Sequence, residues 1–261
     1  MELAGRSAFL TGGGRLGRAI ALELGRAGAS VGVFDRREDA GSAVAGAVRA
    51  AGGRAVSYVG DVSRTDDVER ALDEHERQVG PVDVLVTAAG IFPNTPILEM
   101  DDAEWDNVFA VNTRGPMICC RAVARRLVAR GAPGAIVNIS SGAATSARAG
   151  GSHYTGSKAA VNMLTHVLAI ELGPHGIRVN AVAPGLILDE VLREGQRHGS
   201  EYVDLMLRGT PLRRTGAPED IASAVVFLAS DRSPWTTGAI LEITGGSHCG
   251  RPHVPLSRDL R

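Results

Sequence analysis

The chain has 261 residues, 44% of them hydrophobic and 22% charged, with 28 basic and 29 acidic side chains for a formal net charge of −1. That length suits one sizeable α/β domain rather than two, and the composition excludes a disordered chain. The charge balance offers no electrostatic footing for nucleic acid or an anionic membrane, and no run reaches the ~18 consecutive apolar residues of a membrane span.

Strand-like and helix-like segments alternate along the chain. "RSAFLTG" reads as a strand beginning within about six residues of the start, with no charged-then-apolar leader before it. Residues 15–28 read as a helix, with Leu16, Ala19, Ile20, Leu22 and Leu24 at its apolar positions. "ASVGVFD" is a second strand, and "EDAGSAVAGAVRAAGG" a helix stopped by Gly52 and Gly53. "AVSYVGD" is a third strand. "TDDVERALDEHERQVG" is a helix whose early acids suit its dipole. "VDVLVTAAG" is a fourth strand, followed by helices near 101–112 and 115–131. "GAIVNISS", a helix over about 153–173, and "IRVNAVAPG" come next. An irregular piece, a helix over about 218–230 and the strand "GAILEIT" complete the series. Strands alternating with helices predict a doubly wound parallel sheet covered on both faces.

The stretch "TGGGRLGRAI" lies between the first strand and helix, where Gly12, Gly14 and Gly17 fit G-x-G-x-x-G. Glycines there let backbone N–H groups approach a pyrophosphate at a helix N-terminus. Asp35 ends the second strand, 18 positions after Gly17. A carboxylate at that place accepts from ribose hydroxyls and repels a 2′-phosphate, which favours NAD over NADP. Arg15, Arg36 and Arg37 pull the other way, because they can neutralise such a phosphate.

"SHYTGSKAAVN" holds Tyr154 and Lys158 one helical turn apart, and Ser141 ends a strand thirteen residues earlier. A lysine cation favours the phenolate and lowers the tyrosine pKa. A serine hydroxyl can hold a substrate oxygen beside the phenol. Hydride transfer to a ketone needs such a proton donor, and alcohol oxidation needs such a base.

With these pieces in order the chain resembles the short-chain dehydrogenase/reductase family over nearly its whole length. The matching residues are the glycine loop after Thr11, "GDVS" with Asp61, "AAG" at 88–90, "VNTRG" with Asn112 and "NISS" with Ser141. Tyr154 and Lys158, "VNAVAPG" at 179–185 and "PEDIASAVVFLASD" from Pro218 follow. The resemblance implies a single Rossmann domain with a seven-stranded parallel sheet. It implies Tyr154 as general acid/base, Ser141 as donor to the substrate oxygen, Lys158 as ribose binder, and Asn112 as holder of a relay water. It also implies that Gly12, Gly14, Arg15, Leu16 and Gly17 cradle the cofactor. Asp61 and Val62 would border the adenine, and Ala88, Ala89 and Gly90 would pass under the cofactor. Pro184, Gly185 and Ile187 would flank the nicotinamide.

The chain departs from the family pattern in four places. The family's T-G-x-x-x-G-x-G meets Leu16 and Arg18 where glycines are usual, so the loop reads one residue short. Thr87 and Ala88 replace an asparagine pair, Asp189 stands where a threonine often contacts the carboxamide, and Thr244 replaces an acid.

Together these readings give a domain over 1–246 with a substrate flap near 186–215, and a tail over 247–261. The flap mixes Leu186, Ile187, Leu188, Val191, Leu192 and Met206 with Glu190, Arg193, Glu194, Arg197 and His198. The tail is expected to pack across a subunit interface of a homodimer or homotetramer. The expected partner is a small alcohol or ketone, with no nucleic acid, membrane or metal. Cys119, Cys120 and Cys249 suggest no disulfide framework and a cytoplasmic setting. His248, Cys249 and His253 match no standard zinc spacing. His153 reads as a pocket residue or a surface histidine, and Trp105 and Trp235 as packing residues. Two alternatives compete with an NAD-dependent alcohol dehydrogenase: an NADPH-dependent 3-oxoacyl thioester reductase, and a dinucleotide-sensing protein without turnover.

Overall fold

The computed structural model describes residues 1–188 and 201–250. Its strands are β1 (Ser7–Thr11), β2 (Ser30–Asp35), β3 (Arg54–Val59), β4 (Val84–Thr87), β5 (Gly134–Ile139), β6 (Ile177–Pro184) and β7 (Ile240–Ile243). They form one seven-stranded sheet in the order β3-β2-β1-β4-β5-β6-β7, parallel at every pairing. The helices described are α1 (Arg15–Arg26), α2 (Glu38–Ala50), α3 (Thr65–Gln78), α4 (Asp102–Phe109), α5 (Gly115–Ala129), α6 (Ser152–Leu172), α7 (Glu201–Arg208) and α8 (Pro218–Ala229).

The period of two along each strand sends alternate residues to opposite faces, and helices cover both. Ala8 and Leu10 of β1, with Val31, Val33 and Val86, meet Ile20 and Leu24 of α1, Val44 and Val48 of α2 and Val225 of α8. Phe9, Phe34, Leu85 and Ile136 face the other way, onto Leu72 of α3 and Ile118, Val123 and Leu127 of α5. Cys119 and Cys120 belong to this second core as small buried side chains, and burial pushes both thiols up.

Local signals set the helix ends. Gly52 takes φ +85°, a left-handed conformation that ends α2 at low steric cost. The Asp101 carboxylate accepts from Glu104 N at 2.7 Å and caps α4, while Asp220 accepts from Ala217 N at 2.8 Å and secures the start of α8. Between α4 and α5 the chain makes a π-helical turn, Ala110–Arg114. The sequence reading places a break there between two helices; the structure bridges it with a wider turn, which carries Asn112.

Two packing expectations need correction. Trp235 is 99% exposed on the loop after α8, where the backbone turns back toward β6 and the indole projects outward. His153 is fully buried. Trp105 does pack, stacking on Phe109 with ring centroids 4.9 Å apart. Asp189, Glu190, Val191, Leu192, Arg193, Glu194, Arg197 and His198 lie outside the described residues, as does the tail beyond Gly250, with Pro252, His253, Val254, Pro255 and Leu256. No helix among the described residues is long and apolar enough to cross a membrane.

A buried histidine sits beneath β1. The Ser7 hydroxyl donates to Gly80 O, so its lone pair accepts from His75 Nε2–H at 2.7 Å. His75 Nδ1 is buried without a hydrogen-bond partner among the described residues, against Gly32 and the rings of Phe9 and Tyr58. Burial depresses its pKa from 6.5 to about 4. The unfolded chain therefore binds a proton that the folded one refuses, and stability falls as pH drops from 6.5 toward 4. The full effect of this one residue is about 3 kcal/mol. Urea titrations across this window should show a shallower pH dependence in His75→Gln than in the wild type. Identical slopes would remove His75 from the account of acid stability.

Candidate active site

The sheet order reverses direction between β1 and β4, and the loops that leave their C-terminal ends part to form a crevice. The glycine loop lines one wall. Gly12 takes φ +91°, and a Cβ there would lie 2.7 Å from Ala89 N. Gly12 N donates to Phe34 O at 2.8 Å, and Thr11 Oγ1 accepts from Ala89 N at 3.3 Å. Gly14 caps α1, which starts at Arg15. Gly17 lies in the first turn, where a Cβ would fall 1.9 Å from Gly12 O. This is the packing role of the last glycine of a dinucleotide fingerprint. The shortened loop thus keeps the contact between helix and turn.

Asp35 stands at the end of β2 and ties this wall together. Its Oδ2 accepts from Gly13 N at 2.6 Å and its Oδ1 from Arg37 N at 2.8 Å. Each oxygen retains a second acceptor site. A cavity of about 280 Å³ is lined by Gly12, Gly14, Asp35, Asp61, Val62, Ala88, Ala89 and Gly90, so the structure brings these expected cofactor residues together. Phe34, Arg36, Arg37, Gly60, Ile91, Asn107 and Val111 join them. Among these, the sequence reading missed Phe34, Gly60, Ile91, Asn107 and Val111, which carry no chemistry-bearing pattern. Arg15, Leu16 and Gly17 stand on α1 behind the loop rather than on the cavity wall. The Asp61 carboxylate holds Ser63 N and Oγ. The absence of Cβ atoms at Gly12 and Gly17, the acceptor at Asp35 and this cavity suit a dinucleotide.

The second group of residues comes from β5, α6 and the π turn. Ser141 follows β5 and its Oγ accepts from Ala143 N at 3.1 Å, which leaves its proton free. The Ser141 hydroxyl acts on the Tyr154 phenol in favour of its ionised form. Burial raises the Tyr154 pKa, while the Ser141 contact and the Arg148 charge draw it back. Lys158 lies one turn further along α6, buried, with Nζ donating to Ile139 O at 2.8 Å; burial pushes its pKa down to about 8. Lys158 Nζ is thus turned to Ile139 O, while the Arg148 charge favours the ionised phenol.

Asn112 is buried and its amide is nearly saturated. Nδ2 donates to Ile91 O at 2.8 Å and Ser157 Oγ at 3.2 Å, and Oδ1 accepts from Ile91 N at 2.9 Å. One acceptor site remains on Oδ1. A Cβ on Gly90 would lie 3.3 Å from Asn112 Oδ1 and 3.7 Å from Lys158 Nζ, so a glycine there keeps both groups accessible from one side.

Next to the tyrosine, His153 Nε2 pairs with Glu104 Oε1 at 2.8 Å, while Nδ1 accepts from Tyr154 N at 2.9 Å. The histidine therefore links α4 to the start of α6 and is neither a surface residue nor a pocket wall. Hydrogen bonds from Thr95 and His153 hold the Glu104 carboxyl below its usual range.

A third region lies beyond β6 and β7. Pro184 ends β6, and a Cβ on Gly185 would come 2.8 Å from Thr244 Cα. Ile187 bridges to Gly216. Gly185 and Ile187 line a cavity of about 520 Å³ with Leu212, Arg214, Glu242 and Thr244. Thr244 Oγ1 pairs with His248 Nδ1 at 2.6 Å, a local tie for the one described turn of the tail.

A family described as enoyl-(acyl carrier protein) reductase matches residues 14–248. The L-xylulose reductase of Mesocricetus auratus is 40% identical over 94% of this chain and 98% of its own length. The chain belongs to the short-chain dehydrogenase/reductase family. The 3-oxoacyl-(acyl-carrier-protein) reductase FabG of Staphylococcus epidermidis is 36% identical over 93% of this chain and 99% of its own. Among solved structures, a gluconate 5-dehydrogenase from Burkholderia cenocepacia in complex with NADP and tartrate superposes with a TM-score of 0.88. Its identity is 34%, over 95% of this chain and 97% of that one. Membership makes the protein an oxidoreductase of this family, whose members bind NAD or NADP.

Proposed function

We propose that this short-chain dehydrogenase/reductase is NAD-dependent and interconverts a secondary alcohol and its ketone, with Tyr154 as general acid/base. The observation that carries the reading is the convergence of the Ser141 hydroxyl on the Tyr154 phenol, one helical turn from the buried Lys158 amine. When bound, the dinucleotide accepts hydride from the carbinol carbon or returns it. Gly12 and Gly14 would hold its pyrophosphate at the start of α1, where Arg15 and Leu16 open the helix and Gly17 keeps it close to the turn, and Asp35 would hold its adenosine ribose. Asp61 and Val62 would border the adenine. Ala88, Ala89 and Gly90 would run beneath it, and Pro184, Gly185 and Ile187 would flank the nicotinamide.

The chain's own groups manage the proton. Ser141 Oγ–H donates to the substrate oxygen and holds it against Tyr154 Oη. Tyr154 gives its proton to that oxygen in reduction and takes it in oxidation. Lys158 Nζ, opposite Asn112 Oδ1, holds a cation near the ribose. Asn112 fixes the backbone of Ile91 and keeps an acceptor for a water in line with the lysine. Cofactor turnover with a panel of secondary alcohols and ketones tests the reading. Failure with every member would favour a protein that binds dinucleotide without turnover.

NADP use is a second reading, favoured by Arg36 and Arg37 on the same cavity wall. Asp35 opposes it, since both its oxygens face the loop and a like charge there is costly. Asp35→Ala should raise the NADP-to-NAD ratio of kcat/KM by at least about ten-fold. A wild type that already prefers NADP would reverse the assignment and bring the 3-oxoacyl thioester reductase to the front. We also propose a homo-oligomer, because α6 exposes Met163, Val167 and Ile170 in one row. Light scattering decides this point.

A further inference from the structure

Arg148 lies on the loop before α6, and its charge favours the ionised form of the Tyr154 phenol. Its guanidinium carbon stands 6.0 Å from the centre of the Tyr154 ring. Its Nη1 donates to Tyr202 Oη at 2.9 Å, reaching from the catalytic loop to helix α7 of the flap. No carboxylate among the described residues pairs with it. Phe92 meets the Tyr154 ring edge-on at 6.4 Å, and Tyr202 and Leu205 lie exposed on α7. A single positive fork, positioned by a phenol over the ring of a proton donor, is a recognition element for an anion.

We propose that Arg148 is a specificity-determining residue that receives a carboxylate one or two carbons from the carbinol, making the substrate class small 2- or 3-hydroxy acids and their oxo acids. The proposal rests on the oxidoreductase reading above. With the carbinol oxygen between Ser141 and Tyr154, the carboxylate of such an acid extends toward the guanidinium. Guanidinium N–H groups not used by Tyr202 donate to the planar anion in a fork, and Tyr202 keeps the fork from swinging into solvent.

The test compares 2- and 3-hydroxybutanoate with the corresponding hydroxybutanamides, which keep the shape and lose the charge. The wild type should prefer acid over amide in kcat/KM by about 10–100-fold, the range of a charge-assisted bidentate contact. In Arg148→Gln that preference should collapse toward one, chiefly through KM, and Arg148→Lys should restore part of it. Tyr202→Phe, which leaves the arginine in place, should reduce the preference by a smaller factor. A wild type without acid preference overturns the proposal, and so does a preference unchanged in Arg148→Gln. Removing the Arg148 charge should also shift the pH profile equally for acid and amide; that shift with the acid preference intact would make Arg148 a tuner of Tyr154 alone and overturn the proposal. If neither alcohol class is turned over, the oxidoreductase reading is the one that fails. Calorimetric titration of butanoate into the NAD-loaded protein then judges Arg148 alone. Binding lost in Arg148→Gln supports the proposal, and no binding by the wild type sinks it.

Discussion

Replacing Tyr154 by phenylalanine is expected to lower turnover by ~10²–10⁴-fold, the range for loss of a general acid or base. The substitution keeps the ring, its edge contact with Phe92 and the helix start that His153 secures, so NAD affinity should stay close to that of the wild type. The expectation extends to pH. Burial raises the phenol above its ordinary pKa of 10.0, so the resting tyrosine is protonated at neutral pH. It is then a ready donor for ketone reduction and must lose its proton before it can act as the base in oxidation. Oxidation should therefore accelerate as pH rises, while reduction stays level until the phenol titrates. Lys158, pushed down to about 8, loses its charge over part of the same range, so the alkaline limb reports both groups. In Tyr154→Phe the residual rate should lose the alkaline rise that belongs to the phenol. Near-normal turnover in that variant would sink the mechanism.

Local spacing carried much of this architecture, and long-range pairing carried what spacing missed. The seven strands, the glycine loop, Asp35 and the Tyr154–Lys158 turn follow from periodicity and position, because each depends on residues close in the chain. The partnership of His153 with Glu104 joins residues 49 apart, and no spacing rule announces it. Arg148 and Tyr202 are 54 apart on two elements whose proximity only the fold creates. Asn112 was legible from its motif, yet its near-saturated amide depends on the π turn and on Ile91. The same limit explains Trp235. A large aromatic is a sound expectation for a core, but its loop is anchored from below: Arg178 donates to Leu228 O and Ser230 O, and Asn180 to Thr236 O. The indole is left outside. The Arg148 charge on the phenol likewise comes from a loop residue that no motif announces.

The shortened glycine loop gives the second large effect. Inserting a glycine between Arg15 and Leu16 restores the T-G-x-x-x-G-x-G spacing, and one would expect tighter NAD binding if the native loop were strained. The structure argues the opposite. Gly17 occupies the first turn of α1, where no side chain fits because a Cβ would meet Gly12 O at 1.9 Å. With the helix start held at Gly14, the insertion moves Leu16 into that place and turns the apolar face of α1 by one residue, or about 100°. Either the leucine collides with the turn or the helix is displaced from the sheet, and Ile20 and Leu24 leave their core positions. NAD binding should weaken by at least about ten-fold, as overpacking at such a contact typically costs about 1–3 kcal/mol. Gly17→Ala isolates the steric part without altering chain length and should weaken binding in the same direction, with a lower melting temperature. A calorimetric titration showing tighter binding after the insertion would mean that the loop re-forms around the added residue, and that the native path is the strained one.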